Sequence, residues 1–206
     1  MIALFVNTYR DPEPARDAEL SAVQAHNSGN KAIAQIVQLV GPRLPFSELF
    51  REVNRVSQDQ QVVVVANADI YFDQSIADAA GITADRAYAL TRWDDRSDGV
   101  HLFSDEHGAP RCDSQDAWIF RAPIRQSLID ACDFTPGIRG CDNRLAYEIA
   151  KAGYAISNPS KTIRAIHLHQ TDIRRYGHGA DDCVPKPYLL IDPHELGQTP
   201  KLRYCL

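Results

Sequence analysis

A run of four valines at residues 62–65 places the strongest constraint on the fold of this chain. The run continues as Ala66-Asn67-Ala68-Asp69, so it changes from apolar to polar within four residues. A continuous β-branched run predicts a strand that is buried on both faces, as in a parallel sheet covered by helices. Ligands of such sheets bind just beyond the carboxyl ends of the strands. Asn67 and Asp69 lie on the same side of an extended chain and are expected to face one ligand, although Asp69 could simply begin a turn.

The order of the predicted elements indicates an α/β fold. Strands are predicted over residues 2–7, 32–40, 61–66, 86–92, 118–120, 154–157 and 162–168. Helices are predicted over residues 13–27, 47–56, 74–80, 123–131 and 141–152. Strands that alternate with helices imply a mostly parallel, Rossmann-related sheet with helices on both faces.

In two segments the apolar residues show neither helical nor strand periodicity. Residues 94–111 are rich in Asp, Gly and His and predict a mobile loop, with a hairpin near residues 100–103. The chain after Tyr176 is rich in Gly, Asp and Pro and predicts an extended tail over the body or into a partner. We therefore expect one domain over residues 1–176 and a tail over residues 177–206, while an oligomer stays open.

Composition excludes several classes of protein. The net charge is −5 and the sequence contains no run of Lys and Arg, so a broad nucleic-acid footprint is not expected. No apolar stretch approaches the roughly 20 residues of a transmembrane helix, and the start lacks the features of a signal peptide. The five scattered cysteines favour free thiols over a disulfide framework. We therefore expect a cytoplasmic protein, either free or peripheral to the inner membrane face.

Three further polar clusters follow strand-like segments or begin a helix. Asp116 precedes the predicted strand at 118–120, and Asp142 lies at the start of a predicted helix, where a capping role is the alternative. His167 and His169 are two residues apart at the end of a strand, so both rings could meet one ligand. Imidazole and carboxylate together suit a cation such as Mn²⁺.

The order of these features resembles the GT-A type of nucleotide-sugar glycosyltransferase, in particular the family-2 enzymes, over residues 1–170. In that family a D-x-D-like motif after a strand holds Mn²⁺ or Mg²⁺ against the donor diphosphate. Asn67-Ala68-Asp69 matches the motif with Asn in place of the first acid. The segment from Gly140 to Tyr154 matches the family's catalytic helix, with Asp142 as the base and Cys141 in place of the first acid of the pair.

The resemblance implies a role for each candidate residue. Asp142 would be the catalytic base, and Asp116 would orient the acceptor or act as the base itself. Asp69 would hold the metal together with His167 or His169. The remaining candidates would contact the donor nucleotide or its phosphates; they are Thr8, Tyr9, Arg10, Asn67, Arg92 and Arg144.

These roles predict transfer of a sugar from a nucleoside diphosphate sugar to a hydroxyl acceptor, with inversion favoured. The acceptor could be a glycan, a lipid-linked molecule or another hydroxyl compound. A non-catalytic GT-A-like domain that binds a sugar nucleotide or acts as a scaffold is the first alternative, because the first acid of each motif is missing. A sugar nucleotidyltransferase is less favoured because Asn7-Thr8-Tyr9-Arg10-Asp11 lacks glycine. A metallohydrolase would require a tighter ligand cluster than the sequence shows.

Overall fold

The structure, a computed structural model, describes residues 1–171, 173 and 183–206. The strands in this part of the chain are β1 (Ile2–Thr8), β2 (Ile33–Val40), β3 (Val62–Ala66), β4 (Ile70–Phe72), β5 (Arg86–Leu90), β6 (Arg92–Arg96), β7 (Gly99–Leu102), β8 (Ala117–Arg121), β9 (Ala155–Ser157), β10 (Ala165–His167), β11 (Tyr188–Ile191) and β12 (Leu202–Cys205). The helices there are α1 (Pro14–Gly29), α2 (Phe46–Val56), α3 (Gln126–Ala131), α4 (Cys141–Lys151) and a 3-10 helix over Gln74–Gly81.

Six strands form the main sheet in the order β2-β1-β3-β8-β5-β9. The pairs β1–β2, β1–β3 and β5–β9 are parallel, whereas β8 runs antiparallel to both β3 and β5. Every residue of β3 is buried, which accounts for the run of valines. The predicted α/β architecture with a mostly parallel sheet is confirmed.

Alternate residues of β3 belong to two separate cores. Val63 and Val65 join the core that contains side chains of α2, α3 and α4. Val62 and Val64 join the opposite core, which contains residues of the 3-10 helix and of β4. The sheet is thus covered on both faces, and the ends of its strands are left as the place where polar side chains can gather.

Helix α1 carries two buried polar residues on its inner face. Arg16, Leu20, Val23 and Asn27 are the buried residues of this helix, at a spacing that places them on one side. The Asn27 side chain donates to the carbonyl of Ile70 at 3.0 Å and accepts from the amide of Phe72 at 3.0 Å. These bonds fix α1 against β4, so Arg16 at the other end of the same face is directed at the residues before β4.

A second sheet has the order β4-β10-β6-β7. β10 pairs antiparallel with β4 and parallel with β6, which places His167 opposite both Ile70 and Asp94. Since Asp69 directly precedes Ile70, this register brings Asp69, Asp94 and His167 to one place.

Several predicted boundaries were wrong. The strand predicted over residues 86–92 divides at Thr91, because β5 pairs within the main sheet and β6 pairs with β10 in the second sheet. Part of the segment predicted as a loop at 94–111 is regular, since β6 and β7 form an antiparallel hairpin that overlaps the hairpin predicted near residues 100–103. Helix α3 begins at Gln126 rather than at Pro123, because Arg125 is still extended.

The last residues also differ from the predicted extended tail. β11 and β12 form an antiparallel hairpin, and β11 packs on α4. Leu189 and Ile191 are buried in the same core as α4, and this non-local burial is what orders so short a strand. The predicted boundary between residues 176 and 177 lies outside the described residues. Among those that are described, no helix has the length and apolar character needed to cross a membrane.

Candidate functional site

Asp69 lies between β3 and β4, and two histidines approach its carboxylate. His167 Nε2 is 3.2 Å from Asp69 Oδ2, and His169 Nδ1 is 3.9 Å from the same oxygen. One ligand atom from each of the three residues lies within 4.8 Å of the others. His169 Nε2 is buried without a hydrogen-bond partner among the described residues. One carboxylate and two imidazoles fit a Mn²⁺-like ion that keeps coordination positions open for other oxygens.

Asp94 supports this cluster from behind. Its Oδ1 is 3.6 Å from His167 Nδ1, on the opposite side of the ring from Asp69. A carboxylate in that position orients a histidine whose other nitrogen binds a metal. Burial disfavours the protonated ring, but the interactions with Asp69 and Asp94 outweigh burial and raise the pKa of His167 to about 9. Burial and the charges of Arg16 and His167 lower the pKa of His169, which keeps that imidazole neutral.

Arg16 contacts the same carboxylate from helix α1. Its Nη2 is 2.6 Å from Asp69 Oδ2, and its Nη1 is 2.8 Å from Glu19 Oε2. Burial alone would raise the pKa of Asp69, but His167 and Arg16 together hold that pKa well below its usual range. Asp69 is therefore ionised and already faces cationic groups before any metal binds.

Asp116 lies at the start of β8 and is linked to the β3 end through Asn67. Asn67 Nδ2 donates to Asp116 Oδ1 at 2.9 Å, and the Asn67 amide donates to the Asp116 carbonyl at 3.0 Å. Arg92 Nη1 is 3.6 Å from Asp116 Oδ2. The side-chain amide of Asn67 thus holds Asp116, and Asn67 also lies two residues before Asp69 in the sequence.

Asp142 is the second residue of α4 and is partly exposed. Burial and the nearby charge of Asp116 raise the pKa of Asp142 to about 8, against the opposing effects of the Cys141 thiol, the Gln115 backbone and Arg92. A carboxyl group with a pKa near the operating pH is suited to accepting a proton. Asp142 and Asp116 therefore behave as an interacting acidic pair.

Arg92 joins the two halves of the site electrostatically. Its guanidinium interacts with Asp116, Asp94 and Asp69, and it also acts on Asp142. Its Nε donates to Asp94 Oδ1 at 2.8 Å, and the guanidinium carbon lies 3.9 Å from the centre of the Phe103 ring. The carboxylates at 69 and 142 are thus within electrostatic reach of one cation.

The other predicted nucleotide contacts lie around the end of β1. Thr8 is buried, and its hydroxyl accepts a bond of 3.4 Å from Gln24. Arg10 is exposed and pairs with Asp17 at 3.1 Å. Tyr9 follows β1 and interacts electrostatically with Arg16.

A cavity of about 590 Å³ opens beside the ends of β1 and β2. It is lined by Asn7, residues 38–42, Leu44, Glu48, Arg51 and Glu52. Neither Asp69 nor Asp142 lines this cavity, so the cavity does not contain these two carboxylates.

Arg144, which the sequence predicts to contact phosphate, is held by groups of the protein. Its guanidinium is 2.8 Å from the buried Glu148 and donates to the carbonyls of Pro185 and Lys186. Arg144 therefore anchors the segment before β11 to helix α4.

Sequence reasoning missed Arg16 and Asp94. Arg16 lies within a helical pattern in which a charged residue is expected to face solvent, and only its apolar neighbours at i+4 and i+7 signal an inner face. Asp94 was placed in an irregular loop because of the Asp-rich composition that surrounds it.

Comparisons with known proteins bear on the fold. No protein-family model matches the chain, and no curated protein sequence matches it. Among solved structures, the chain is similar to a mutant of Drosophila beta-1,4-galactosyltransferase 7 in complex with manganese, UDP-Gal and xylobiose. The TM-score is 0.50 at 13% sequence identity, and the match covers 98% of this chain and 92% of that one. This likeness shows that the chain has a GT-A-like glycosyltransferase fold, without indicating the family-2 enzymes in particular.

Proposed function

We propose that this protein is a glycosyltransferase that moves a sugar from a nucleoside diphosphate sugar to a hydroxyl acceptor. One observation carries the proposal. In a GT-A-like fold, Arg92 interacts with both Asp69, which belongs to the Asp-His-His cluster, and Asp142, the carboxyl group whose pKa is raised. The similar galactosyltransferase structure contains manganese and a UDP-sugar, which supports the same class of donor here.

The donor side is assigned to Asp69, His167 and His169, which would hold Mn²⁺ or Mg²⁺. A cation bound there supplies charge that stabilises the departing diphosphate. Thr8, Tyr9 and Arg10 follow Asn7, which lines the neighbouring cavity, and would contact the nucleoside. Arg92 is placed to attract the phosphate oxygens, since its guanidinium is already directed into the acidic cluster.

The acceptor side is assigned to Asp142 and Asp116. Asp142 would take the proton of the acceptor hydroxyl. The oxygen of that hydroxyl would form a bond to the anomeric carbon as the bond from this carbon to the diphosphate breaks. Asp116, held by Asn67 and Arg92, would orient the acceptor. Direct attack by an acceptor on the donor carbon inverts the anomeric configuration, so we expect an inverting reaction.

Replacement of Asp142 by Asn tests the base. Asn cannot accept the proton, so transfer should fall by 100-fold or more, within the range of about 10²–10⁴ for general-base catalysis, while donor binding stays unchanged. Transfer is measured with UDP-, GDP- and CMP-sugars in the presence of Mn²⁺ and an acceptor mixture. Asp130→Asn, at an exposed position of α3, is the matched control. A variant that retains its turnover would contradict the assignment.

Replacement of Asp69 by Ala tests the metal site. The variant should lose the enhancement of donor binding by Mn²⁺, because the remaining imidazoles provide no charged oxygen ligand. Calorimetry of the donor with and without Mn²⁺ measures the difference, and Asp78→Ala at an exposed position is the control. Equal donor affinities with and without Mn²⁺ in the parent protein would exclude a metal-assisted site.

A non-catalytic sugar-nucleotide-binding domain is the second candidate. It is favoured by the contacts of Arg16 and His167 with Asp69, which neutralise the one carboxylate of the motif, and by the use of Asn67 to hold Asp116. The donor panel separates the two functions. Saturable binding of a sugar nucleotide without transfer or slow hydrolysis would favour the binding domain.

A further inference from the structure

Cys141 is the first residue of α4, and its thiol lies against the carboxylate of the next residue. Its Sγ donates to Asp142 Oδ1 over 3.2 Å, and the residue is 2% exposed. The backbone of Gly137 also hydrogen-bonds to the sulfur. The thiol hydrogen itself is donated to the Asp142 carboxylate.

The thiol remains protonated in this environment. Burial and the adjacent Asp142 carboxylate raise the pKa of the Cys141 thiol well above its usual value. A thiol that does not ionise is a hydrogen-bond donor at all working pH values. Cys141 therefore supplies Asp142 with a neutral donor, and it adds no charge beside Asp116.

The other groups that face Asp142 come from the elements packed around α4. The charge of Asp116 disfavours the ionised carboxylate, whereas the Gln115 backbone amide and Arg92 favour it. An acidic residue at position 141 would add a further negative charge to this pair. The replacement of the acid by Cys thus keeps a hydrogen bond to the carboxylate and avoids that repulsion.

We propose that Cys141 is a positioning residue for the proton acceptor, because its thiol donates to Oδ1 of Asp142 and so orients the carboxylate that receives the proton of the acceptor hydroxyl. This inference rests on the proposed glycosyl transfer. Whether the thiol sets the orientation and proton affinity of the Asp142 carboxylate can be tested without measuring turnover. A thiol that merely fills space in the core would affect stability alone.

The first measurement is a titration of Asp142 by carboxyl-carbon NMR, with the resonance assigned through Asp142→Asn. Loss of the donor in Cys141→Ala should raise the apparent pKa of Asp142 by about one unit. This shift corresponds to the lower end of the free energies of hydrogen bonds to charged groups, because a thiol is a weak donor. Cys141→Ser retains a donor and should remain within about half a unit of the parent protein.

Cys132→Ala is the matched control. Cys132 is a fully buried thiol in the same core, and its substitution creates a comparable cavity beside α4 without touching Asp142. Its titration should follow the parent curve. An unshifted Asp142 in Cys141→Ala, or an equal shift in Cys132→Ala, would overturn the inference. If the Ala variant fails to fold, the pKa of Asp142 in Cys141→Ser is compared with that of the parent protein. A shift larger than about half a unit would then show that a donor at this position does not set the pKa, and it would also overturn the inference.

The second measurement is the pH profile of kcat/KM. In Cys141→Ala its acid limb should move to higher pH by the same amount as the NMR titration, with partial or full return in Cys141→Ser. An active enzyme whose acid limb does not move would show that the thiol acts on structure alone and would overturn the proposed role. A parent protein without transferase activity would refute the glycosyl transfer instead, and the NMR titration would still decide whether Cys141 controls Asp142.

Discussion

Substitution of Arg16 by Met breaks the ion pair that holds Asp69 against helix α1. Arg16 is 3% exposed, and it contacts Asp69 at 2.6 Å, Glu19 at 2.8 Å and the carbonyl of Leu168 at 3.3 Å. Methionine has a similar length and no charge, so it fills the space while it leaves two carboxylates without this partner. The variant therefore isolates the electrostatic contribution of the guanidinium.

The magnitude follows from what remains around Asp69. Loss of one partner of a buried ion pair costs about 3–5 kcal/mol. His167 stays 3.2 Å from the same oxygen, and with a pKa of about 9 it remains charged at pH 7. Glu19 keeps bonds from the amides of residues 170 and 171. We therefore expect the lower end, about 3 kcal/mol, which corresponds to a fall in Tm of about 6–12 °C for a chain of this size.

Urea unfolding at pH 7, followed by circular dichroism, measures this difference. Arg10→Met is the matched control, because Arg10 is 85% exposed and pairs with Asp17 at a similar distance of 3.1 Å. An exposed pair contributes at most about 1 kcal/mol. If Arg16→Met loses no more stability than Arg10→Met, the buried pair does not hold the site together and the reasoning fails.

Addition of Mn²⁺ extends the same experiment to the proposed metal site. A cation at 100 times its Kd stabilises the native protein by about 2.7 kcal/mol. Without Arg16 the Asp69 carboxylate has less charge compensation, so the cation should bind more tightly and raise the Tm of the variant more than that of the parent. Equal increases would show that Arg16 and the cation do not share this carboxylate. No increase in either protein would argue against the site.

Two further outcomes are expected. Phe50→Ala, which removes a fully buried ring packed edge-on against Phe120 at 5.6 Å, should cost about 3–5 kcal/mol in urea unfolding, whereas Val40→Ala at a 73% exposed position should cost less than about 0.5 kcal/mol. Because the folded pKa of Asp142 is about 8 and lies above its unfolded value, this carboxyl destabilises the fold increasingly as pH rises from about 4 through 8. The Tm of Asp142→Asn relative to the parent should therefore rise between pH 5 and pH 9, and a constant difference would contradict the raised pKa.

The central strand and the residues that follow it were predictable from the sequence. The valines of β3 have to be buried on both faces, and the two-residue periodicity of strands puts His167 and His169 beside each other. What the sequence could not provide was the register between β4, β10 and β6. That register depends on pairing across some hundred residues, and it alone brings Asp69 and His167 together.

The missed residues share a physical cause. Arg16 and Asp94 are charged residues inside the site whose contacts include a partner far away in the chain. Arg16 pairs with Asp69 as well as with the nearby Glu19. Asp94 faces His167 as well as the nearby Arg92 and Arg96. Local patterns assign charged side chains to solvent, because their burial is favourable only when a distant partner compensates the charge. Arg144 depends on a distant part of the chain in the same way, since it lies two residues from the predicted base and contacts the segment before β11 as well as Glu148.

Asn67, at the first position of the predicted D-x-D-like motif, has a structural role that the sequence did not reveal. Asn67 Nδ2 donates to Asp116 Oδ1 at 2.9 Å, and an ionised aspartate at this position could not donate that bond. An aspartate at 67 would place two carboxylates at hydrogen-bond distance, beside a third at Asp142, and the added negative charge would raise the pKa of Asp142 further. Asn67 therefore offers no carboxylate to the proposed metal site, and its amide instead holds Asp116, the residue that we propose to orient the acceptor.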